Sequence, residues 1–420
     1  MVGVPSTPGS EPDADLIIAS LTDVDTDEAA RWHHPLMPTT FVYGPHLQAY
    51  NPSDDVERPL RRRLGIDLIG AYGLLDRDDV TVVEPGAATV ADVERIHAPA
   101  YVGAVRRYSA KPELAASWEA GQWGLSPGGD TPARAGMHEA ALGVCGASLT
   151  AADLIVRGEA GTVYCPAPAG LHHALANRAS GFCIYNDCAL AVRALLDSGL
   201  DRVAYVDVDA HHGDGIQWLF YDDPRVLCVS VHESGKFLFP GTGGMEERGA
   251  GAGLGTSLNV PLPPFTGTGP FLRALQEVVV PAVTRFAPDA LVVHLGADIH
   301  HADPLAHLCV DLEALPRIYR LLHDLARDAA SGRYIVLAGG GYNIDLLARV
   351  WALQMDELVG AGLPDALPAD WLARAEQETG GRFTARLLED SPQMIPADHR
   401  DKADAEANGV VDQARLLVAG

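Results

Sequence analysis

The chain has 420 residues, a formal net charge of −25 and 47% hydrophobic residues, which is apolar material enough for one large α/β domain or two ordinary ones. So acidic a balance argues against sequence-independent nucleic-acid binding, which needs Lys and Arg at phosphates, and suits a basic or lysine-derived substrate. No apolar run reaches the ~18 residues of a membrane span, the acidic start "MVGVPSTPGSEPDADL" does not read as a secretory signal, and six cysteines without a CxxC pair argue against a zinc ribbon or disulfide scaffold and fit a reducing cytoplasm.

Residues 1–38 mix Pro, Ser, Thr and Asp without periodicity and read as a flexible lead-in, with His33 and His34 as surface residues. Helical spacing of Leu and Ile follows in "ERPLRRRLGIDLIGAYGLLD" (57–76), and "HEAALGVCGASLTAADLIVRGEA" (138–160) predicts another helix. From there, short apolar runs alternate with helical stretches. Strands are predicted at "TVYCPA" (162–167), "RVAYVDVD" (202–209), "VLCVSVH" (226–232), "ALVVHLGAD" (290–298) and "RYIVLAGGG" (333–341), with helices at 187–199, 270–286 and 312–329. Strands this apolar are buried on both faces, so the predicted fold is α/β: one domain over 39–365, a central, mainly parallel sheet flanked by helices on both faces. Residues 366–420 read as a helical, polar extension packed on or trailing that domain. The stretch "RFTARLLEDSPQMIPADHRDKADAEANG" within it is too charged to be read as core.

Ligand-type residues cluster just past the carboxyl ends of these strands, where sites form in open parallel sheets. In "YVDVDAHHGDG" (205–215), Asp207 and Asp209 share a face of the strand, and His211 joins them if the extended backbone persists. Asp209 and His211 make a metal-binding carboxylate–imidazole pair, and the remaining carboxylates are free to orient histidines. An acidic turn with solvated histidines is the bland alternative, but several ionisable groups buried without a metal or a proton-transfer role would be too costly. In "AGLHHALANRASGFCIYND" (169–187), His172 and His173 can line one pocket as base and acid. In "HLGADIHHADPLAHL" (294–308), Asp298 follows an apolar strand as a third metal ligand, and three protein ligands with an open position is the catalytic zinc arrangement. His300 and His301 are expected at the pocket wall or behind the ligands. In "LAGGGYNID" (337–345), three glycines allow a sharp turn that places Tyr342 over a pocket, where its hydroxyl can donate to an oxyanion. His212 is left as a buried structural imidazole.

With "VSVHESGKFLFPGTG" these clusters stand in the order found in the zinc-dependent deacetylases. Over residues 40–360 the chain resembles the class I histone deacetylases and, more closely, the bacterial acetoin-utilisation (AcuC-type) deacetylases, whose fold is the arginase/deacetylase fold. The resemblance implies zinc on Asp209, His211 and Asp298, although carboxylate and imidazole ligands suit Fe²⁺ as well. It implies that His173 is the general base, that His172 contributes electrostatically, and that Asp207 and Asp214 orient His172 and His173. Tyr342 would polarise the amide carbonyl. Gly181, Phe182 and Phe239 match the walls of an acyl-lysine tunnel, Leu305 its rim, and Asp130 a rim aspartate that grips the substrate backbone. Ser230 matches a K⁺ ligand, with main-chain carbonyls of Asp207, Asp209 and His211 beside it, and Arg61 an arginine near the acetate exit. Leu171 stands where the histone-directed enzymes have Trp, which favours a bacterial type.

The implied function is hydrolysis of an N-acetyl amide in the cytoplasm, on acetylated lysine of a protein or on a small acylated amine such as an acetylpolyamine, with no nucleic-acid or membrane partner. An arginase-like enzyme with two manganese ions would need a D-x-D pair at Asp298, but His300 is the residue two further on and Asp303 the next carboxylate. A scaffold protein with a dead site would be expected to lack His173 or Tyr342, and both are present.

Overall fold

The computed structural model describes residues 38–53, 59–166 and 169–419, so the lead-in and the pair His33–His34 lie outside the described residues. The strands are β1 Thr39–Val42, β2 Val80–Val83, β3 Thr162–Pro166, β4 Val203–Val208, β5 Val226–Glu233, β6 Ser257–Leu262, β7 Ala290–Gly296 and β8 Tyr334–Gly339. They form one sheet in the order β2-β1-β3-β8-β7-β4-β5-β6, with every pairing parallel. The main helices are α1 Pro59–Ala71, α2 Pro99–Ala110, α3 Met137–Val156, α4 Asp187–Asp197, α5 Thr268–Ala274, α6 Val280–Phe286, α7 Leu315–Ala329, α8 Ile344–Val359, α9 Ala369–Thr379 and α10 Ala397–Ala419. The stretch predicted as one helix over 270–286 is α5 and α6 joined by a wide π turn, Leu275–Val279.

The central strands are buried on both faces because successive side chains alternate. Val163, Cys165, Val203, Tyr205, Val292, Ile335 and Leu337 pack with Ala147 and Ala151 of α3 and with Val192 and Leu195 of α4. Tyr164, Ala204, Val206, Leu291, Val293 and Val336 face the opposite layer, Leu64 and Leu68 of α1, Leu322 of α7 and Leu347 and Trp351 of α8. Helix α3 is the one described helix long and apolar enough to cross a membrane, and 67% of its apolar window is buried, packed on α4 and β3. All six cysteines are buried and none forms a disulfide.

The reading of the 382–409 stretch as too charged for core needs correction. Leu387, Ala403 and Ala407 are buried, as are Val411 and Ala414 beyond it. Helix α10 lies on α5 and on the edge strand β6. Ala403, Ala407, Val411, Ala414 and Val418 form its buried stripe, with Asp404 beside them accepting the Gly267 amide at 2.7 Å, and the exposed charges on the rest of the helix hid that stripe in the mean composition.

Candidate active site

Four strands that are neighbours in the sheet, β3, β8, β7 and β4, end together and send their following loops over one edge. The loop after β3 carries the histidine pair. It is fixed from below by Asp187, whose buried carboxylate accepts the amide protons of Gly170 at 3.1 Å and Leu171 at 2.6 Å and the Ser148 hydroxyl at 2.6 Å. Asn186, the N-cap of α4, donates its side-chain amide to the carbonyls of His172 and Ala174 at 3.1 and 3.0 Å.

Each histidine then meets the carboxylate expected of it. His172 Nδ1–H donates to Asp207 Oδ2 at 2.8 Å, and His173 Nδ1–H to Asp214 Oδ1 at 2.7 Å. These bonds fix both tautomers and leave each Nε2 as a lone pair. The rings lie 4.0 Å apart. Burial, then the neighbouring His172 and His211, holds His173 well below the usual imidazole range, which keeps it neutral and able to take a proton. Burial pushes Asp214 up to about 6, against the pull of His212 and His172. Asp207 sits below its ordinary range even though burial opposes this, because His172 faces it with charge and hydrogen bond. Tyr205 adds a hydroxyl donor to Asp207 Oδ2 at 2.7 Å.

Strand β4 ends at Val208, so His211 does not join its aspartates by extended backbone as the sequence suggested. A turn does it instead: the His211 amide donates to Asp209 Oδ1 at 2.8 Å. His211 Nδ1 then lies 3.0 Å from Asp209 Oδ1 and 3.2 Å from Asp298 Oδ2. Ligands at 2.0–2.1 Å from a tetrahedral ion stand about 3.3 Å apart. This buried nitrogen and two carboxylate oxygens therefore fit a zinc- or iron-sized cation, and two convergent carboxylates call for one. Burial and the charge of Asp209 push Asp298 up, while His211 and His294, against burial, hold Asp209 down.

Tyr342 follows Gly340 and Gly341, whose φ of 62° and 82° form the turn that brings the ring over the triad. The Tyr342 ring lies 6.4 Å from the His211 ring and 6.1 Å from Phe182, with the Arg61 guanidinium 5.0 Å over it. One pocket is bordered by His172, His173, Asp209, Tyr342, Gly181, Phe182 and Leu171, and also by Arg61, Arg62, Tyr50 and Trp351. The last four are residues of α1, of α8 and of the 3₁₀ helix end at Tyr50, and Arg61, Arg62, Tyr50 and Trp351 are all buried.

Phe239 is 41% exposed with its ring 4.9 Å from His173, which places it at the mouth. Asp130 is exposed, and its carboxylate accepts the Gly181 amide at 2.9 Å and the Thr131 hydroxyl at 3.0 Å. Thr131 in turn accepts the Phe182 amide at 3.0 Å. These bonds hold the Gly181–Phe182 turn, in which Phe182 adopts a φ of 66°. Leu305 is half-buried. Ser230 stands in register with Asp207 and its hydroxyl pairs with His232 Nδ1 at 2.8 Å. His212 is buried between Thr242 and Gln217.

His300 and His301 do not border this pocket. Both rings, stacked at 4.2 Å, donate Nε2–H to Asp390 Oδ1 at 2.9 Å. The Ala302 amide donates to His300 Nδ1 at 3.0 Å, so that imidazole carries its proton on Nε2 and has no lone pair there for an ion. The trio is a latch between the Asp298 loop and the C-terminal extension. Sequence reasoning also passed over His294, whose Nε2 lies 3.2 Å from Asp209 Oδ2 and whose Nδ1 lies 3.1 Å from the Leu337 carbonyl. The signal was a lone histidine inside an apolar strand.

A fold of this topology with two His–Asp dyads beside an Asp–His–Asp triad defines a hydrolase of the deacetylase type. The histone deacetylase domain pattern matches residues 55–358, and the chain belongs to that family. Among its relatives it is similar to the acetoin utilization protein AcuC of Bacillus subtilis (strain 168), 37% identical over 370 residues, which are 87% of this chain and 90% of that one. It is also similar to AcuC of Staphylococcus xylosus, 38% identical over 339 residues, 80% and 86% of the two chains.

Proposed function

We propose that this deacetylase hydrolyses the N-acetyl amide of acetyl-lysine in proteins, with Asp209, His211 and Asp298 holding Zn²⁺ or Fe²⁺. The observation that carries this reading is that one pocket is bordered by His172, His173, Asp209 and Tyr342, with both histidines backed by carboxylates and Asp209 joined to His211 and Asp298 in the Asp–His–Asp triad. A bound ion would act there as a Lewis acid toward water and the amide carbonyl. His173, neutral and with Nε2 unprotonated, takes the proton of the attacking water and returns it to the lysine nitrogen as the C–N bond breaks. Asp214 stabilises the imidazolium formed in between. His172 keeps a second Nε2 lone pair toward the same space, polarised by Asp207. Tyr342 donates a hydrogen bond to the carbonyl oxygen as it becomes an oxyanion. Phe182 and Phe239 wall an acyl-lysine stem, Leu305 forms the rim, and Asp130 lies at the mouth to meet a cationic or amide-bearing substrate. Ser230 and the main-chain carbonyls of Asp207, Asp209 and His211 form the proposed K⁺ site.

The test is a panel of acyl-lysine peptides and acetylated polyamines assayed with metal content measured in parallel. Peptide turnover supports the reading, and turnover of polyamines alone would replace it with a small-amine hydrolase. Tyr342→Phe should keep metal and fold but lose on the order of 10²-fold or more in kcat, and near-native kcat would refute the role. Asp298→Ala should lose stoichiometric metal by elemental analysis.

A further inference from the structure

Asp303 is a buried carboxylate that the reaction scheme above does not use. Its two oxygens serve two different backbone segments. Oδ2 accepts the amide proton of Tyr342 at 2.6 Å, and Oδ1 accepts that of Leu305 at 2.8 Å. Its own amide is anchored on the His300 carbonyl at 3.0 Å. Beside it Asn343, the N-cap of α8, donates to the Ala302 carbonyl at 3.1 Å. The 302–305 loop and the 342–343 turn are thus stitched together at two adjacent points, and the turn hangs on two glycines with positive φ that do not stiffen it themselves.

Burying a carboxylate is costly, and burial together with the charge of Asp298 pushes Asp303 up to about 7. A side chain with one acceptor would not do the same work. An asparagine offers one oxygen and one NH₂, and the NH₂ would face an N–H donor, so one of the two bridges must break. A glutamate keeps both acceptors but sets them one methylene too far out.

We propose that Asp303 is a positioning residue, a two-armed clamp that ties the backbone of Tyr342 to Leu305, so that the donor to the amide oxygen and the rim of the mouth keep one fixed spacing. This inference rests on the role given to Tyr342 above. It makes the reach from rim to oxyanion donor a property of a single carboxylate rather than of the flexible glycine turn. A displacement of about 1 Å in such a donor costs on the order of 10²-fold in rate, so losing one arm falls on kcat rather than on ground-state binding.

The test is a double-mutant cycle on a fluorogenic N-acetyl-lysine peptide, with wild type, Asp303→Asn, Tyr342→Phe and the double variant brought to equal metal content. Asp303→Asn should lower kcat at least tenfold with KM changed less than threefold. In the Tyr342→Phe background the same change should cost less than threefold, because there is no hydroxyl left to misplace. A merely structural role would lower both backgrounds alike and lower the unfolding midpoint with them. Equal losses in the two backgrounds, or a kcat within twofold of wild type for Asp303→Asn, overturn the clamp. The same cycle run with Asp303→Glu, which retains charge and both acceptors, gives the same reading should Asp303→Asn not fold: a loss confined to the tyrosine background supports the clamp, and equal losses or none overturn it. If Tyr342→Phe itself keeps its kcat, the tyrosine role has failed. If Tyr342→Phe loses kcat and Asp303→Asn does not, only the clamp has failed.

Discussion

Substituting Gly296 with Ala tests the proposed metal site from behind, without touching a ligand. Gly296 ends β7 in the sheet, and a methyl built on it would lie 2.4 Å from both Asp209 Oδ2 and Asp298 Oδ1. Ordinary contacts begin near 3.4 Å and the Asp209 Cα lies only 2.9 Å from the same methyl, so the two carboxylates must each retreat by about 1 Å and the backbone must shift with them. Metal ligands tolerate about 0.2 Å, and lesser disturbances behind the ligands already cost 10-fold to 100-fold in affinity. We therefore expect metal affinity to fall by 100-fold or more, about 2.7 kcal/mol at 1.36 kcal/mol per tenfold. Overpacking costs a further 1–3 kcal/mol of stability, roughly, which leaves a domain of ordinary stability folded. The assay is competition with a chromophoric chelator, alongside circular dichroism and urea unfolding. Gly70→Ala is the control, since a methyl there meets nothing within 4 Å. A folded Gly296→Ala protein with wild-type metal affinity and turnover would show that Asp209 and Asp298 do not hold the ion together.

Asp214→Asn keeps an acceptor for His173 but removes the charge that stabilises its imidazolium. The kcat should fall on the order of 10-fold to 100-fold and the acid limb of kcat/KM should move to lower pH, because the imidazole becomes less basic; an unchanged profile would refute the dyad. His97 gives a pH dependence independent of the metal. Its Nδ1–H donates to the Leu175 carbonyl at 3.0 Å, its Nε2 accepts the Asn186 amide at 2.9 Å, and burial pushes it down to about 4. The unfolded chain binds that proton near 6.5, so the stabilisation is full above pH 6.5 and is lost as pH falls toward 4, about 3 kcal/mol in all. Urea unfolding between pH 7.5 and 4.5 should show this slope in the wild type and a shallower one in His97→Asn; His323, pushed down to about 4 by burial and Arg327, adds a slope of the same sign.

Five strands were legible because each is a long apolar run. Strand β1 is four residues, β2 is a half-exposed edge, and β6 carries Asn259 and Pro261, which an edge strand tolerates and a propensity reading rejects. The dyads His172–Asp207 and His173–Asp214 were legible because strand ends and ligand chemistry restrict the partners. The loop geometry around Asp209 was not, because a side chain accepting its neighbour's amide turned the backbone where an extended strand was expected. Asp303 could be seen only as the next carboxylate after Asp298, since its work is done on amides 2 and 39 residues away. The partner of His300 and His301 lies about ninety residues on, in a segment whose charge disguised it.

That late partner bears on how the protein is made. A nascent chain that has emerged through Tyr342 contains every residue of the proposed reaction, yet lacks the carboxylate that fastens 300, 301 and the Leu312 amide. Arg349, buried in α8, likewise waits for the carbonyls of Leu387 and Glu389. During synthesis from the amino end, the 300–312 loop therefore stays unfastened until residues 387–390 have been made, and a ribosome stalled between 343 and 389 would hold a complete set of reacting side chains with that loop still untied.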